Sequence, residues 1–416
     1  MVQTQGISLM KEKVKICFLA DKHGLYDDRI YWKMAVPLQK KGYEVSYLLI
    51  GNEQQKGVTK EGIDYEVLKV KTFSKNRYLN FVLKNLNPNN NYKKLFKKAA
   101  ALQAEIYHFH DLWINKIGKK LKRLKHKPVV FYDAREPYAE DYISLIEANK
   151  IFNIILKLFA HLVDKWEKKM AEKYDLVIAN ENTVRDNFRR KLGKKKAETI
   201  FNFTDIYKDY KKISLLEKKY DFIYCGGITE SRGAIKILEA TKIAKKTIPE
   251  IRVVFVGRYS PENLKQKLQK FIDENNLKKN VQLFSFVKYE GVSDFYNLSK
   301  IGLITWLPLK ALTIKMPIKI FEYMAFALPI IGSNFGHIKK YIEQENCGIV
   351  VNPDNPHEIS EAMCNLLTDS AKYKFYSTNG RKATLEKYKW DFELGRLINF
   401  YTTFLQEREK KLKNGI

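Results

Sequence analysis

Glu322 stands in a short, otherwise apolar run, MPIKIFEYMAFALPIIG from Met316 to Gly332, with Lys319 three residues before it. Such a carboxylate, on a short helix at the mouth of a parallel sheet, is placed to accept hydrogen bonds from ligand hydroxyls. The i, i+3 spacing is equally that of an ordinary helix-surface ion pair, and the residues alone leave both readings open. A second group follows Cys225: Gly226-Gly227-Ile228-Thr229-Glu230-Ser231-Arg232-Gly233, then apolar residues at helical spacing. A strand, a glycine-containing loop and a helix N-terminus make an anion site, because free N–H groups and the helix dipole favour phosphate. Arg232 adds a full charge there. A third set lies in the first half: DKHGLYDDRI (Asp21–Ile30, with Gly24 and Arg29), His108-Phe109-His110-Asp111, and Asp133-Ala134-Arg135-Glu136. The two histidines at i, i+2 share one face of a strand. They are candidate metal ligands, but no third ligand pattern accompanies them, so no metal site is expected.

These residues need a frame that holds them at strand ends. Pro317 opens a turn, and Ile320, Phe321, Met324 and Ala325 recur at helical spacing. Ala327-Leu328-Pro329 ends that helix, and a buried strand runs to Gly332. Apolar strands alternate with helical patterns along the whole chain, which predicts parallel sheets covered on both faces. Expected strands in the first half are 15–20, 44–50, 65–70, 106–108, 128–132, 176–179 and 199–201. In the second half they are 220–225, 252–257, 281–286, 301–306, 329–332 and 347–351. Ligands of open α/β sheets sit beyond the carboxyl ends of strands, where every group above falls. Gly257 and Phe286 close two further strands on that side. No G-x-G-x-x-G loop is present, which excludes an ordinary dinucleotide site.

The chain has 416 residues, enough for two domains, and 45% hydrophobic content, as in globular proteins. No run reaches the roughly 18–20 apolar residues of a membrane span. The short run 14–20 reads as a strand, not a secretory signal. Four scattered cysteines without a C-x-x-C pair argue against a zinc or disulfide framework and fit a reducing cytoplasm. Lysine and arginine number 75 against 47 acids, a formal charge of +28. That charge favours phosphates, nucleic acid or an anionic membrane surface. No nucleic-acid motif appears, so nucleic acid is not expected as a partner. Two basic runs, 71–101 and 116–127, precede an amphipathic segment, Glu147–Met170. One apolar stripe there comprises Ile151, Phe152, Ile155, Phe159, Leu162, Trp166 and Met170, widened by Ile154 and Leu158, with lysines opposite. This is the pattern of a helix lying in a membrane interface and also of one docked on its own sheet.

P-x-K-x-F-E-Y-M-A followed by A-x-P-I-I-G-S resembles the donor-site segment of GT-B glycosyltransferases of the retaining family four, the glycosyl transferases of group one. The resemblance covers nearly the whole chain and is strongest from Cys225 to Asp354. It implies an α/β fold of two Rossmann-like domains facing a central cleft. The expected division is 1–205, acceptor side; 206–385, nucleotide-sugar side; and 386–416, a helix crossing back to the first domain. In that family the residue matching Glu322 holds ribose hydroxyls. Gly226, Gly227 and Arg232 align with the diphosphate loop, Arg232 on the family's lysine and Gly227 on its arginine. Gly257 and Phe286 fall where the base sits. Gly24, Arg29, His108, His110, Asp111 and Glu136 fall on the acceptor side. Arg135 replaces the family's histidine, and Ile314 its first donor-side glutamate.

The resemblance implies sugar transfer with retention from a UDP- or GDP-type donor to a glycan or lipid-linked glycan, in cell-surface polysaccharide synthesis. Arg135, Arg232 and Lys319 are the expected catalytic charges, without metal or other cofactor, the nucleotide-sugar being a substrate. A cytoplasmic enzyme, peripheral on the inner face of the membrane, is expected. The alternative is a catalytically weak GT-B-like binding protein, motivated by Arg135, Ile314 and Gly227.

Overall fold

The computed structural model describes residues 13–69, 89–135, 138 and 150–414. The chain divides into two compact units. Unit 1 is Met1–Asn202 with Glu393–Ile416, and unit 2 is Phe203–Phe392.

Unit 1 is built on eight strands: β1 Lys15–Ala20, β2 Glu44–Gly51, β3 Gln55–Val58, β4 Asp64–Lys69, β5 Ile106–His110, β6 Val129–Ala134, β7 Leu176–Ala179 and β8 Ala197–Thr199. Their order is β3-β4-β2-β1-β5-β6-β7-β8. All neighbours are parallel except β3 against β4. β5, β6 and β7 are buried at every residue, which is why they read as unbroken apolar runs. Two differences from expectation have simple causes. The edge strand β3, QKGV, is largely exposed and carries no apolar alternation. It exists only by pairing with β4. The last strand lies at Ala197–Thr199 rather than 199–201, because Ala179 pairs with Thr199.

Four helices matter here: α1 Asn89–Ala101, α2 Asn115–Lys122, α3 Lys150–Ala171 and α4 Asn182–Leu192. Each packs on the next, α1 on α2, α2 on α3 and α3 on α4.

Unit 2 has six parallel strands: β9 Tyr220–Cys225, β10 Val253–Val256, β11 Val281–Phe284, β12 Ser299–Ile304, β13 Ile330–Ser333 and β14 Gly348–Val351. Their order is β11-β10-β9-β12-β13-β14. Helix α5, Ala234–Ala244, follows β9, and α6, Lys319–Ala325, precedes β13. Every residue of α6 is buried. The Tyr323 hydroxyl pins it beneath the sheet, accepting from Cys225 N (3.1 Å) and donating to Ile223 O (3.2 Å). Helix α7, Trp390–Lys413, closes the chain and belongs to unit 1 from Glu393 onward. There Tyr401 is fully buried against Phe131.

In each unit the chain winds outward in both directions from one central strand. The strand order reverses between β1 and β5 in unit 1, and between β9 and β12 in unit 2. These are the two places where an open α/β sheet leaves a crevice for a ligand. Among the described residues, no helix is long and apolar enough to cross a membrane.

Candidate functional site

The switch point of unit 2 carries the glycine loop. Gly226 leaves β9 at φ +117°, and its N–H bonds Val256 O at 2.8 Å. Gly257 ends β10 at φ +151°, so close that a Cβ there would lie 1.8 Å from Gly226 O. Gly257→Ala therefore meets backbone, not a movable side chain. We expect it to lower stability by about 3 kcal/mol or more, read as a fall in thermal unfolding temperature; unchanged unfolding would contradict the packing. Thr229 Oγ1 accepts from Arg232 N at 3.1 Å and starts a single turn. Gly233, at φ +81°, then lets the backbone pass Thr305 and enter α5.

Two cations converge on this loop. Arg232 donates from Nη1 to Gly227 O at 3.2 Å, and its guanidinium lies 5.2 Å from the Trp306 ring centroid. Lys319, only 5% exposed, places Nζ 4.4 Å from the Tyr224 ring centroid and 5.8 Å from that of Trp306. Its Nζ is also 3.5 Å from the Tyr224 hydroxyl and would be 2.9 Å from a Cβ on Gly226. Lys319 thus points at the glycine loop. Glu322 turns to Tyr296, whose hydroxyl donates to Oε2 at 2.7 Å. It remains beside the end of β9: burial, then the Glu322 charge, push the Cys225 thiol up to about 11. Trp306 escaped sequence reasoning. It is 4% exposed, its indole N–H has no hydrogen-bond partner among the described residues, and it floors both cations. A tryptophan in an apolar run gives no sign of this.

Phe286 is 62% exposed and carries the Arg258 guanidinium 5.2 Å from its ring centroid. It offers a flat apolar face beyond β11. Ile314 is half-buried.

Unit 1 gathers its polar residues at its own switch point, but most are sealed. Arg29 and Asp133 are both 0% exposed. Arg29 Nε and Nη2 donate to Asp133 Oδ2 at 3.1 and 3.0 Å, and Nη2 also donates to Ile200 O at 2.9 Å. Burial works against the Asp133 charge, yet Arg29 holds that carboxyl well below the usual range. His108 and His110 stack with ring centroids 4.7 Å apart, both fully buried. His108 Nδ1 meets the Tyr401 hydroxyl at 2.5 Å. Burial lowers the pKa of both histidines and favours their neutral form. Expected as acceptor contacts, Arg29, His108 and His110 are instead a buried anchor, because desolvated charge is tolerated only where it is paired. His108, His110 and Asp133 bring their ligand atoms within 4.8 Å of one another. A divalent cation there would sit against the Arg29 guanidinium, so the donor set does not fit a metal.

Nearer the surface of this switch point lies a cluster of ion pairs, in which the part played by His23 was not read from the sequence. His23, after β1, places Nδ1 3.0 Å from Asp27 and Nε2 2.9 Å from Asp111. Asp111, after β5, also accepts from the N–H groups of Asp21 and Lys22 at 3.0 Å each. It does so at φ +74°, ψ +143°, a strained conformation for a residue with a Cβ. Asp27 caps the following π-helical segment, Asp28–Ala35, through Arg29 N and Ile30 N. Asp27 also pairs with Arg135 Nη1 at 3.0 Å, while Arg135 Nη2 stands 3.9 Å from Asp28. Arg135, expected to serve catalysis, thus pairs with the carboxylates of this loop. Gly24 keeps its place in the loop, its carbonyl accepting from Asp27 N at 3.2 Å. Glu136 lies outside the described residues.

Burial opposes the charge on His23, but the hydrogen bonds to Asp111 and Asp27 outweigh it and raise its pKa to about 9. The stabilisation is complete below the unfolded value near 6.5 and is lost as pH rises through about 9. Wild type should therefore exceed His23→Gln in stability by about 2–3 kcal/mol near pH 6, with the gap closing above pH 9. Thermal unfolding across that range checks this; a constant gap would contradict the charged bridge.

Two Rossmann-like units, with a cation-lined glycine loop in the second, define a GT-B glycosyltransferase class of fold. Comparison with known proteins agrees. The Glycosyltransferase Family 4 description matches residues 30–208, and Glycosyl transferases group 1 matches residues 205–383. The chain belongs to the group 1 glycosyl transferases of GT-B fold. It is similar to an uncharacterised glycosyltransferase of Methanocaldococcus jannaschii, 20% identical over 88% of this chain and 92% of that one. Its fold is similar to that of sucrose-phosphate synthase from Thermosynechococcus elongatus. That match has a TM-score of 0.69 at 14% identity and covers 95% of this chain and 100% of the other. The Anabaena HepE protein in complex with UDP-glucose matches at TM-score 0.66 and 14% identity, over 94% and 99%.

Proposed function

We propose that the protein transfers a sugar, with retention, from a UDP- or GDP-sugar to a glycan or lipid-linked glycan of the cell surface. The observation that carries this reading is the convergence of Lys319 and Arg232 on the Gly226-Gly227 loop at the switch point of unit 2. The diphosphate lies along that loop and the N-terminus of α5, with both cations neutralising charge as the leaving group departs. They supply the charge a divalent ion would otherwise bring. Glu322 accepts from the ribose hydroxyls, and Phe286 carries the base. A UDP-glucose complex in the HepE relative supports a donor of this class. In the reaction the sugar C1–O bond to phosphate breaks and a C1–O bond to the acceptor forms on the same face. The acceptor proton passes to the leaving phosphate oxygen, so no enzymic nucleophile is required.

The test is a panel of UDP- and GDP-sugars offered to the full chain, with and without chelator. One base should raise the unfolding temperature and yield nucleoside diphosphate at a rate the chelator does not change. Binding without turnover, under all acceptors tried, would instead favour the weak binding protein that Arg135, Ile314 and Gly227 bring to mind. Binding to no nucleotide-sugar would remove both.

A further inference from the structure

A buried lysine and a buried glutamate one turn apart on an apolar helix are well placed to pair with each other. Lys319 and Glu322 have that spacing on α6 and are 5% and 8% exposed, yet they turn to different partners. Lys319 Nζ meets the hydroxyl of Tyr224, on β9, at 3.5 Å. Glu322 is met by Tyr296, on the short helix Val292–Asn297 that precedes β12. The Tyr296 hydroxyl donates to Glu322 Oε2 at 2.7 Å.

Tyr296 is built to hold one geometry. It is 1% exposed. Its ring lies edge-on to that of Tyr323, 5.5 Å between centroids, and tilted against Phe326 at 5.2 Å. Tyr323 is itself tied to β9 through Cys225 N and Ile223 O. Donor, acceptor and the rings between them therefore share one rigid frame. Burial raises the phenol's pKa well above its usual value and favours the protonated form that donates. The same hydroxyl faces the Cys225 thiol, at the last residue of β9 before Gly226. Glu322 is thereby held beside the start of the glycine loop. A ring needed for packing alone would carry no hydroxyl, since a buried hydroxyl must find a partner and a buried phenyl need not.

We propose that Tyr296 is a positioning residue for the donor: it fixes the Glu322 carboxylate toward the ribose, and the choice of a ribonucleotide over one lacking the ribose hydroxyls passes through it. This role rests on the donor reading above, in which Glu322 accepts from those hydroxyls, and adds a side chain that does not touch the ligand. The terminal torsion of a glutamate is broad. A hydrogen bond from a phenol locked in the core narrows it before the ligand arrives, so the ordering does not fall on binding. Without that hydroxyl the carboxylate must be ordered by the ribose itself, and selectivity for the hydroxyls falls.

The experiment is calorimetric titration of the full chain with UDP and GDP, each beside its 2′,3′-dideoxy analogue. For the diphosphate that binds, the wild type should prefer the ribose form by about tenfold or more. Tyr296→Phe should remove most of that preference and leave binding of the dideoxy form nearly unchanged, whereas a merely structural loss would weaken both forms alike. Glu322→Gln should lower the preference as well. Adding Tyr296→Phe to Glu322→Gln should change it no further, because both act through one carboxylate. That pair of variants also serves where Tyr296→Phe alone fails to fold, since it leaves no buried carboxylate short of a donor. A preference intact in Tyr296→Phe, or a further loss of about tenfold on adding it to Glu322→Gln, overturns the proposal. So does a wild type that binds a diphosphate without distinguishing the dideoxy analogue, a result that leaves the donor reading standing. A wild type that binds neither diphosphate removes the donor reading and this role with it.

Discussion

Lys319→Met should leave unit 2 folded and lower sugar transfer by about 10²–10³-fold, the usual effect of removing a preorganised charge at a departing anion. The ammonium is held by neutral groups, the Tyr224 hydroxyl and two aromatic rings. Methionine keeps the stem that packs there and removes only the charge, so thermal stability should hold or rise. Arg232→Met should also lower transfer, by less, because that guanidinium is half exposed and already donates to Gly227 O. The two effects should not add if, as proposed, both cations serve one diphosphate. Steady-state rates with a saturating donor measure this. A rate within threefold of wild type for Lys319→Met (on the order of 0.6 kcal/mol) would remove Lys319 from the reaction.

Arg29→Met should cost about 3–5 kcal/mol of stability, because it leaves Asp133 buried and unpaired. Both side chains are wholly buried, and the guanidinium is the group that donates two hydrogen bonds to Asp133, with His108 and His110 farther off at 3.7 and 3.6 Å. The expected readout is a large fall in the unfolding transition of unit 1 or failure to accumulate folded protein. Adding Asp133→Leu should recover much of the loss, since the pair is then replaced instead of broken. If the single variant unfolded like wild type, the anchor described here would be wrong.

The comparison of sequence with structure divides along one line. Residues set by their own strand or helix were legible. β1, β7 and β9 lie where apolar runs begin and end, and the glycine loop announces itself by Gly226-Gly227 after Cys225. Residues set by partners far along the chain were not. Nothing near Lys319 in sequence says that its ammonium leaves Glu322 for Tyr224, ninety-five positions away. His23 looks like an ordinary loop histidine until Asp111 closes on it from β5. His108 and His110 share a strand face, as their spacing requires, but burial behind Arg29 depends on α7 returning with Tyr401. Periodicity marked α3 as amphipathic, yet only packing on Leu112 and Tyr138 decides which side turns outward.

The central claim is that the crevice beyond β9 grips a nucleoside diphosphate through its pyrophosphate. Calorimetric titration of UDP and GDP, each beside its bare nucleoside, into the wild type and Lys319→Met tests it most directly. The account predicts that one diphosphate binds the wild type far better than its nucleoside, and that Lys319→Met removes most of that difference. Equal affinity for diphosphate and nucleoside, or a difference that survives the substitution intact, would contradict it.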